Sequence, residues 1–144
     1  MVLMLALLTA SMPSQATLGQ DVDSAETDRA RLHARRAVRA AAGHTVHEIQ
    51  LPSGTVVREF VSPAGKVFAV TWQGPTLPDL QQILGEDNFQ TFIGSPIAQR
   101  SPRRLRLVQH DRLVVESAGG PRAFSGRAYV PALVPAGTRM ADLQ

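Results

Sequence analysis

Residues 45–72 have the sequence TVHEIQLPSGTVVREFVSPAGKVFAVTW, in which two turns separate three runs rich in β-branched and aromatic residues. Each turn contains a proline and, two positions later, a glycine: Pro52 with Gly54, and Pro63 with Gly65. Proline presets φ for the first turn position, and glycine can adopt the left-handed conformation that returns the chain to a strand. The turns lie eleven residues apart, so the stretch predicts a three-stranded antiparallel meander.

The alternation of side chains predicts which faces of this meander are apolar. In the third run Phe68, Val70 and Trp72 occupy every second position, so we expect all three on one face of the sheet. The middle run has Val57 on one side and Phe60 on the other. A strand that is apolar on both faces is typical of a central position covered from both sides.

The chain after the meander predicts a helix and then three more strands. The letters GPT at residues 74–76 break the sheet, and residues 77–84 have apolar positions at helical spacing, with a second helical turn after Gly85. Residues 95–104 contain two prolines and several arginines, which predicts a solvated loop. Three further strands are predicted at residues 105–108, 113–116 and 123–130.

Residues 21–42 predict an N-terminal helix. Glu26 follows Asp23 at the spacing of a capping box, and Gly43 supplies the expected stop. Positive charge near the end of a helix complements its dipole. The arginines in that position are Arg35, Arg36 and Arg39.

The predicted fold class is therefore α+β, with an antiparallel sheet of about six strands. A three-stranded meander comes first, a central helix follows, and three strands complete the sheet, with the N-terminal helix outside it. We divide the chain into residues 1–16, an N-terminal helical segment at residues 17–43, and a single antiparallel domain at residues 44–144.

Residues 1–16 predict a signal peptide. The apolar run MVLMLALL is too short to span a bilayer, and Ser14 and Ala16 are the small residues that signal peptidase accepts at positions −3 and −1. No Lys or Arg precedes Asp21, which a start codon placed too far downstream would explain; the alternative is a buried N-terminal helix. We expect cleavage after Ala16, export to the periplasm or the medium, and no membrane span after cleavage.

Composition limits the classes of function. A chain of 144 residues with 44% hydrophobic and 19% charged residues is typical of one globular domain. The absence of cysteine excludes disulfides, thiolate metal sites and a cysteine nucleophile. The net charge is +3, and fourteen of the fifteen basic residues are arginine, an excess more typical of high-GC coding than of a binding function. Arginine nevertheless suits carboxylate and phosphate partners better than lysine.

His44, His47 and Glu48 are the candidate metal ligands, because two imidazoles and a carboxylate are groups that bind zinc. Chelation at this spacing requires a helix, whereas these residues begin a predicted strand. On a strand His44 and His47 point to opposite faces, and so do His47 and Glu48. We therefore expect no metal ion and no cofactor here.

Glu48 and Glu59 are the candidate catalytic pair, with His47 adjacent to Glu48. Two carboxylates on neighbouring strands can split their pKa values and perform acid–base chemistry. Charge pairs across the wet face of a sheet are common, however, and Arg58 adjoins Glu59. No Gly-x-Ser-x-Gly motif of a serine hydrolase is present. A small hydrolase-like enzyme that uses Glu48, Glu59 and His47 is therefore an alternative to a non-enzymatic role.

The arginines of residues 100–106 and 35–39 raise a further alternative, a protein that binds an anionic polymer. Aromatic residues do not interleave with these arginines, as they do in proteins that bind single-stranded nucleic acid. We expect no nucleic acid partner.

Several stretches resemble a known family. They are ATLG at residues 16–19, HTVHEI at 44–49, LPSGTVVREF at 51–60, FAVTWQGPTLPDL at 68–80 and AFSGRAYVP at 123–131. Together they resemble domain of unknown function 2844, an uncharacterised family of small exported proteins of Gram-negative bacteria, and WQGPTLPD at residues 72–79 is the most specific part. The resemblance implies an exported single domain, and it brings no established activity and no functional residues.

The sequence as a whole favours a non-catalytic binding or structural module of the cell envelope, whose partner is an envelope protein or an anionic polymer. Residues 72–80 combine a tryptophan with two prolines, which is unusual for a linker. We therefore place the partner surface around these residues and the arginine-rich loop. Its residues are Trp72, Gln73, Pro75, Leu77, Arg100, Arg103 and Arg104. The alternative is that Trp72 fills the core and the prolines only direct the chain into the helix.

Overall fold

The computed structural model describes residues 17–22, 35–96, 99–100 and 106–143. Within them the chain forms one antiparallel sheet of eight strands and two short α-helices. The strands are β1 Arg35–Ala41, β2 His44–Gln50, β3 Val56–Val61, β4 Val67–Gly74, β5 Gln99–Arg100, β6 Arg106–His110, β7 Leu113–Gly120 and β8 Ala123–Tyr129. The helices are α1 Leu80–Leu84 and α2 Glu86–Gly94.

Two meanders make up the sheet. The strand order is β1-β2-β3-β4-β8-β7-β6-β5, so each half of the chain pairs with itself in sequence, and the halves meet where β4 pairs with β8. The predicted meander of residues 45–72 is confirmed as β2, β3 and β4. The prediction of about six strands is too low, because β1 extends the first meander and the two-residue β5 lies within the predicted loop.

The predicted N-terminal helix is wrong where the structure describes that segment. Arg35–Ala41 forms β1, which pairs with β2 at all seven positions, and residues 23–34 lie outside the described residues. Gly43 has φ of 79° and turns the chain from β1 into β2 instead of ending a helix. The ladder bonds that β2 offers along its whole length override the local helix preference of the alanines and arginines.

A β-bulge reverses the expected face of Phe68. Phe60 lies opposite Ala69 while Val61 lies opposite Val67, so Phe68 is an extra residue in β4. Such a residue shifts the alternation by one position. Phe68 therefore packs with Phe60 on one face, and Val70 and Trp72 pack on the other, which corrects the prediction that all three share a face.

Apolar side chains form a cluster on each face of the sheet. On one face α1 and α2 cover a cluster that includes Trp72, Leu84 and Phe92. On the opposite face, which we call the free face because neither α-helix covers it, C-terminal residues 133–143 cover a smaller cluster around Phe60 and Phe68. The interior strand β3 contributes to both clusters, so the expectation that it is covered from two sides is confirmed.

Residues 17–22 join the helices to the sheet. Leu18 is buried; its N–H donates to the Ile83 carbonyl at 3.1 Å, and its carbonyl accepts from Asn88 Nδ2 at 2.9 Å. The N–H of Gly19 donates to the Val67 carbonyl at 2.8 Å. This segment is therefore part of the core. Among the described residues, no helix has the length and apolar character needed to cross a bilayer.

The buried position of Leu18 predicts a large loss of stability for Leu18→Ala. Removing a core leucine costs about 2–5 kcal/mol, because buried apolar contacts are lost and a cavity forms. Leu77→Ala is the matched control, since Leu77 is 45% exposed and its truncation is expected to change stability by less than about 0.5 kcal/mol. Urea unfolding of both variants measures the difference, and equal stability losses would contradict the docking of residues 17–22.

The meeting of β4 and β8 depends on Gly126, which lies directly opposite Trp72. A Cβ at Gly126 would overlap the Trp72 ring and would also lie 2.6 Å from the Glu116 carbonyl oxygen. Gly126→Ala is therefore expected to destabilise the protein by roughly 1–3 kcal/mol through overpacking. The control Gly120→Ala meets no atom within 4 Å and is expected to be neutral. Thermal unfolding followed by the fluorescence of Trp72 tests both, and a neutral Gly126→Ala would show that the two strands do not pair as described.

Candidate functional site

A row of five side chains, four of them charged, crosses the free face of the sheet. Strand register places Glu48 opposite Arg58, Arg58 opposite Thr71, Thr71 opposite Arg127, and Arg127 opposite Glu116. Directly opposite residues point to the same face with Cβ atoms about 4.5–5.5 Å apart, so the five side chains form one line over five strands. We call these five residues the charged row.

Each arginine of the row pairs with a glutamate on its outer side. Arg58 Nε donates to Glu48 Oε2 at 2.8 Å. Arg127 donates from Nε and Nη2 to the two carboxylate oxygens of Glu116 at 2.8 and 3.0 Å, and from Nη1 to the Met140 carbonyl at 2.9 Å. The hydrogen bonds that Arg127 donates to Glu116 raise the pKa of Arg127 above its ordinary value. Arg127 is therefore held firmly, and it ties the C-terminal segment to the sheet.

Among the described residues, Arg58 makes fewer hydrogen bonds than Arg127. Among the described residues, Nε is the only nitrogen of Arg58 with a hydrogen bond, so both Nη groups keep their donors. About a quarter of the Arg58 side chain is exposed, at 26%. The Arg58 side chain is thus partly accessible from solvent.

Thr71 lies between the two arginines with its hydroxyl unsatisfied. The residue is buried, at 7% exposure, and no described group hydrogen-bonds to Oγ1. A buried hydroxyl without a partner is costly, and such groups are uncommon in folded proteins. Thr71 therefore stands out among the side chains of the row.

A cavity of about 370 Å³ opens beside the row. Its wall includes Arg58, Thr71 and Arg127 from the row, with Gln73 and Ser125 from the next pair of residues along β4 and β8. Ala118 and Leu143 supply apolar surface. Arg58 also lines a second cavity of about 370 Å³, on the β1–β2 side of the row.

The C-terminal residues set one boundary of this site. They cover the neighbouring apolar row that contains Val46 and Phe60, and Leu143 packs there with 4% of its surface exposed. On the other side of the charged row Gln73 and Ser125 are exposed. The row therefore marks the border between the covered and the uncovered half of the free face.

The structure separates the residues of the predicted partner surface. Trp72 is in the core at 2% exposure, so the alternative that it fills the core is what the structure shows. Pro75 and Leu77 are exposed after β4, and Gln73 lines the cavity. The arginines of the loop do not join them in the described part of the chain: Arg100 lies in β5, and Arg103 and Arg104 lie outside the described residues.

The WQGPTLPD stretch has a structural role in this fold. A Cβ at Gly74 would overlap Thr55, and Thr55 Oγ1 donates to the Thr76 carbonyl at 2.8 Å. Pro78 is buried, and Asp79 caps α1 by accepting from the N–H of Gln82 at 3.2 Å. The stretch guides the chain from β4 into α1, which explains why it stands out in the sequence.

The candidate catalytic carboxylates do not converge. Glu48 belongs to the charged row, whereas Glu59 lies opposite His47 on the helix-covered face. His47 Nδ1 and Glu59 Oε2 are 3.9 Å apart, and the two residues are only 6% and 4% exposed. Neither residue lines the cavity beside the charged row or the second cavity that Arg58 lines.

The candidate metal ligands are likewise divided between the faces. His44 packs against Phe60 and Phe68, with ring centroids 5.7 and 5.8 Å away, while His47 faces the helices. Among the described residues no three His, Cys, Asp or Glu side chains are grouped to hold a metal ion.

Sequence reasoning missed the charged row as a unit, although part of it could have been found. The turn at Pro52 and Gly54 sets the register of β2 against β3, and this local register places Arg58 opposite Glu48. The step from Thr71 to Arg127 depends on the pairing of β4 with β8, which no local signal reveals.

Comparison with known proteins gives one family and no closer relative. A family model described as "Protein of unknown function (DUF2844)" matches residues 14–143. No curated protein matches the chain, and no solved structure matches it.

Two buried threonines predict opposite effects of the same substitution. Thr55→Val removes a hydroxyl that is hydrogen-bonded to Thr76, so we expect a loss of about 1–3 kcal/mol in the free energy of unfolding. Thr71→Val removes a hydroxyl without a described partner, so stability is expected to stay equal or rise. Urea unfolding compares the two variants. A Thr71→Val protein as unstable as Thr55→Val would contradict the unsatisfied state of Thr71.

Proposed function

This chain belongs to the DUF2844 family of proteins of unknown function, and from its own geometry we propose that it is a non-catalytic binding module of the cell envelope. The observation that carries the proposal is the charged row with its cavity on the free face. Its side chains project from paired strands, and such rigid elements hold contact groups more precisely than loops do. The Arg58 donors that have no acceptor among the described residues make this surface suitable for binding a partner.

The positions of the ionisable groups favour binding over catalysis. A hydrolase that uses Glu48 and Glu59 requires both carboxylates in one cleft, whereas the sheet separates them. His47 and Glu59 are neighbours, but both are buried, which keeps a substrate away from them. The residues named for an enzyme therefore give that alternative no support.

Export is the second part of the proposal, with the periplasm or the medium as the destination. The apolar run before Ser14 and the small residues at the cleavage position support a signal peptide. The packing of Leu18 adds to this, because the core includes a side chain two positions after the proposed cleavage site at Ala16. A protein processed there keeps every residue that this segment contributes to the core.

The expected partner is an envelope component, either a protein or an anionic polymer. Gln73 belongs both to the predicted partner surface and to the wall of the cavity. Pro75 and Leu77 lie exposed beyond the end of β4. We propose that the partner occupies the cavity beside Arg58 and extends toward these residues.

Photo-crosslinking in the source cells tests this proposal. A photoreactive phenylalanine analogue replaces the exposed Ser125 beside the cavity or, as the control, the exposed Gln82 of α1. We expect one defined crosslinked species from position 125, absent from position 82 and reduced by Arg58→Gln. In the same cells we expect the protein in the envelope or medium, with Thr17 as its first residue by amino-terminal sequencing.

Three results would count against the proposal. Identical crosslinked species from both positions would show that the free face is not selective. The absence of any crosslink from position 125 would remove the macromolecular partner. An unprocessed chain that stays in the cytoplasm would contradict the proposed location in the envelope.

A further inference from the structure

We propose that the cavity beside Arg58 binds a carboxylate group, and that Arg58 and Thr71 are the residues that recognise it. The inference rests on the proposed binding function and assigns a ligand class to its site. It starts from a difference within the charged row. Arg58 and Arg127 occupy equivalent positions on either side of Thr71, but they make different numbers of hydrogen bonds among the described residues.

Arg127 makes three hydrogen bonds in the described part of the chain. Both oxygens of the Glu116 carboxylate accept from it, and its Nη1 donates to the Met140 carbonyl. Among the same residues Arg58 makes one hydrogen bond, from Nε to Glu48. Both Nη groups of Arg58 therefore keep their donors, and Arg58 lines the cavity.

Thr71 is the independent observation that points to a ligand. Its residue surface is more than nine-tenths buried, it lines the cavity, and among the described residues Oγ1 has no hydrogen-bond partner. A ligand oxygen that accepts from Arg58 Nη and from the Thr71 hydroxyl would satisfy both groups. Gln73 and Ser125, which also line the cavity, offer further polar contacts to the rest of the ligand.

The charge of the row favours one carboxylate group in the cavity over a single group with several negative charges. Arg58 and Arg127 contribute two positive charges, and Glu48 and Glu116 contribute two negative charges, so the row as a whole is neutral. A group with several negative charges at Arg58 would meet the repulsion of both glutamates. A single planar carboxylate matches the flat guanidinium fork, which binds such groups through two parallel hydrogen bonds.

The size of the cavity limits the part of the ligand inside it to one small unit. A volume of about 370 Å³ lies near the lower end of the range for small-molecule sites, roughly 300–1,000 Å³. It suits one sugar ring or one amino-acid residue, with Ala118 and Leu143 against the apolar part. The carboxylate then comes either from an acidic sugar or from the C-terminus of a peptide, and the chemistry at Arg58 is the same in both cases.

A titration followed by ¹H–¹⁵N NMR tests the inference on the chain from Thr17 to its end. Sodium glucuronate represents the acidic sugar, and N-acetyl-alanyl-alanine represents the peptide C-terminus. Glucose is the uncharged control, and inorganic phosphate is the control for nonspecific anion binding. We expect saturable shifts from at least one carboxylate, at the amides of residues 58, 71, 73, 125 and 127, and none from glucose.

Substitutions identify which side chains contact the carboxylate. Arg58→Gln is expected to weaken carboxylate binding at least tenfold, because it removes a charge-assisted pair of hydrogen bonds. Thr71→Val is expected to weaken binding severalfold while the protein remains folded, because its hydroxyl makes no described contact within the fold. The control Arg112→Gln changes an exposed arginine of the β6–β7 turn that does not line this cavity, and it should leave binding unchanged.

Three outcomes overturn the inference: no saturable shifts near Arg58, equal binding by Arg58→Gln, or phosphate binding as tight as carboxylate binding. The crosslinking experiment separates this inference from the proposed function. A crosslink at position 125 without carboxylate binding leaves the binding module in place and removes the ligand class. Carboxylate binding without a crosslink leaves the ligand class in place and removes the macromolecular partner.

Discussion

The structure depends on the pairing of β4 with β8, which joins two meanders that are otherwise local. Each meander pairs its strands in the order of the chain, and this one ladder brings residues 69–74 against residues 124–129. The centre of this ladder is tightly packed, since the Trp72 ring occupies the space over Gly126. Because Trp72 belongs to the main cluster under the helices, the same contact links the sheet register to the packing of the core.

Both the core and the charged row follow from that register. A shift of one residue between β4 and β8 would turn every side chain of one strand to the other face. The Trp72 ring would then lose its place over Gly126, and Thr71 would no longer lie opposite Arg127. The interaction that stabilises the fold therefore also assembles the candidate site.

The most distinctive sequence of this chain supports the fold, and the candidate site is built from ordinary residues. WQGPTLPD buries a ring, holds Gly74 against Thr55 and caps α1 through Asp79. Arg58 and Thr71, which carry the proposed carboxylate site, are unremarkable in sequence. Their importance comes from register, from incomplete hydrogen bonding and from a cavity at the edge of the surface that the C-terminal segment covers.

The sequence by itself determined the features that depend on short-range chemistry. The Pro-x-Gly turns specified the meander of β2, β3 and β4, and apolar spacing specified the helical region after β4. Only the tertiary structure decided the rest: the strand at Arg35–Ala41, the face of Phe68, and the line from Glu48 to Glu116. The physical reason is that these features depend on partners distant in sequence or on a bulge. A strand ladder can override helix propensity, one extra residue reverses a face, and no local pattern records which two strands meet.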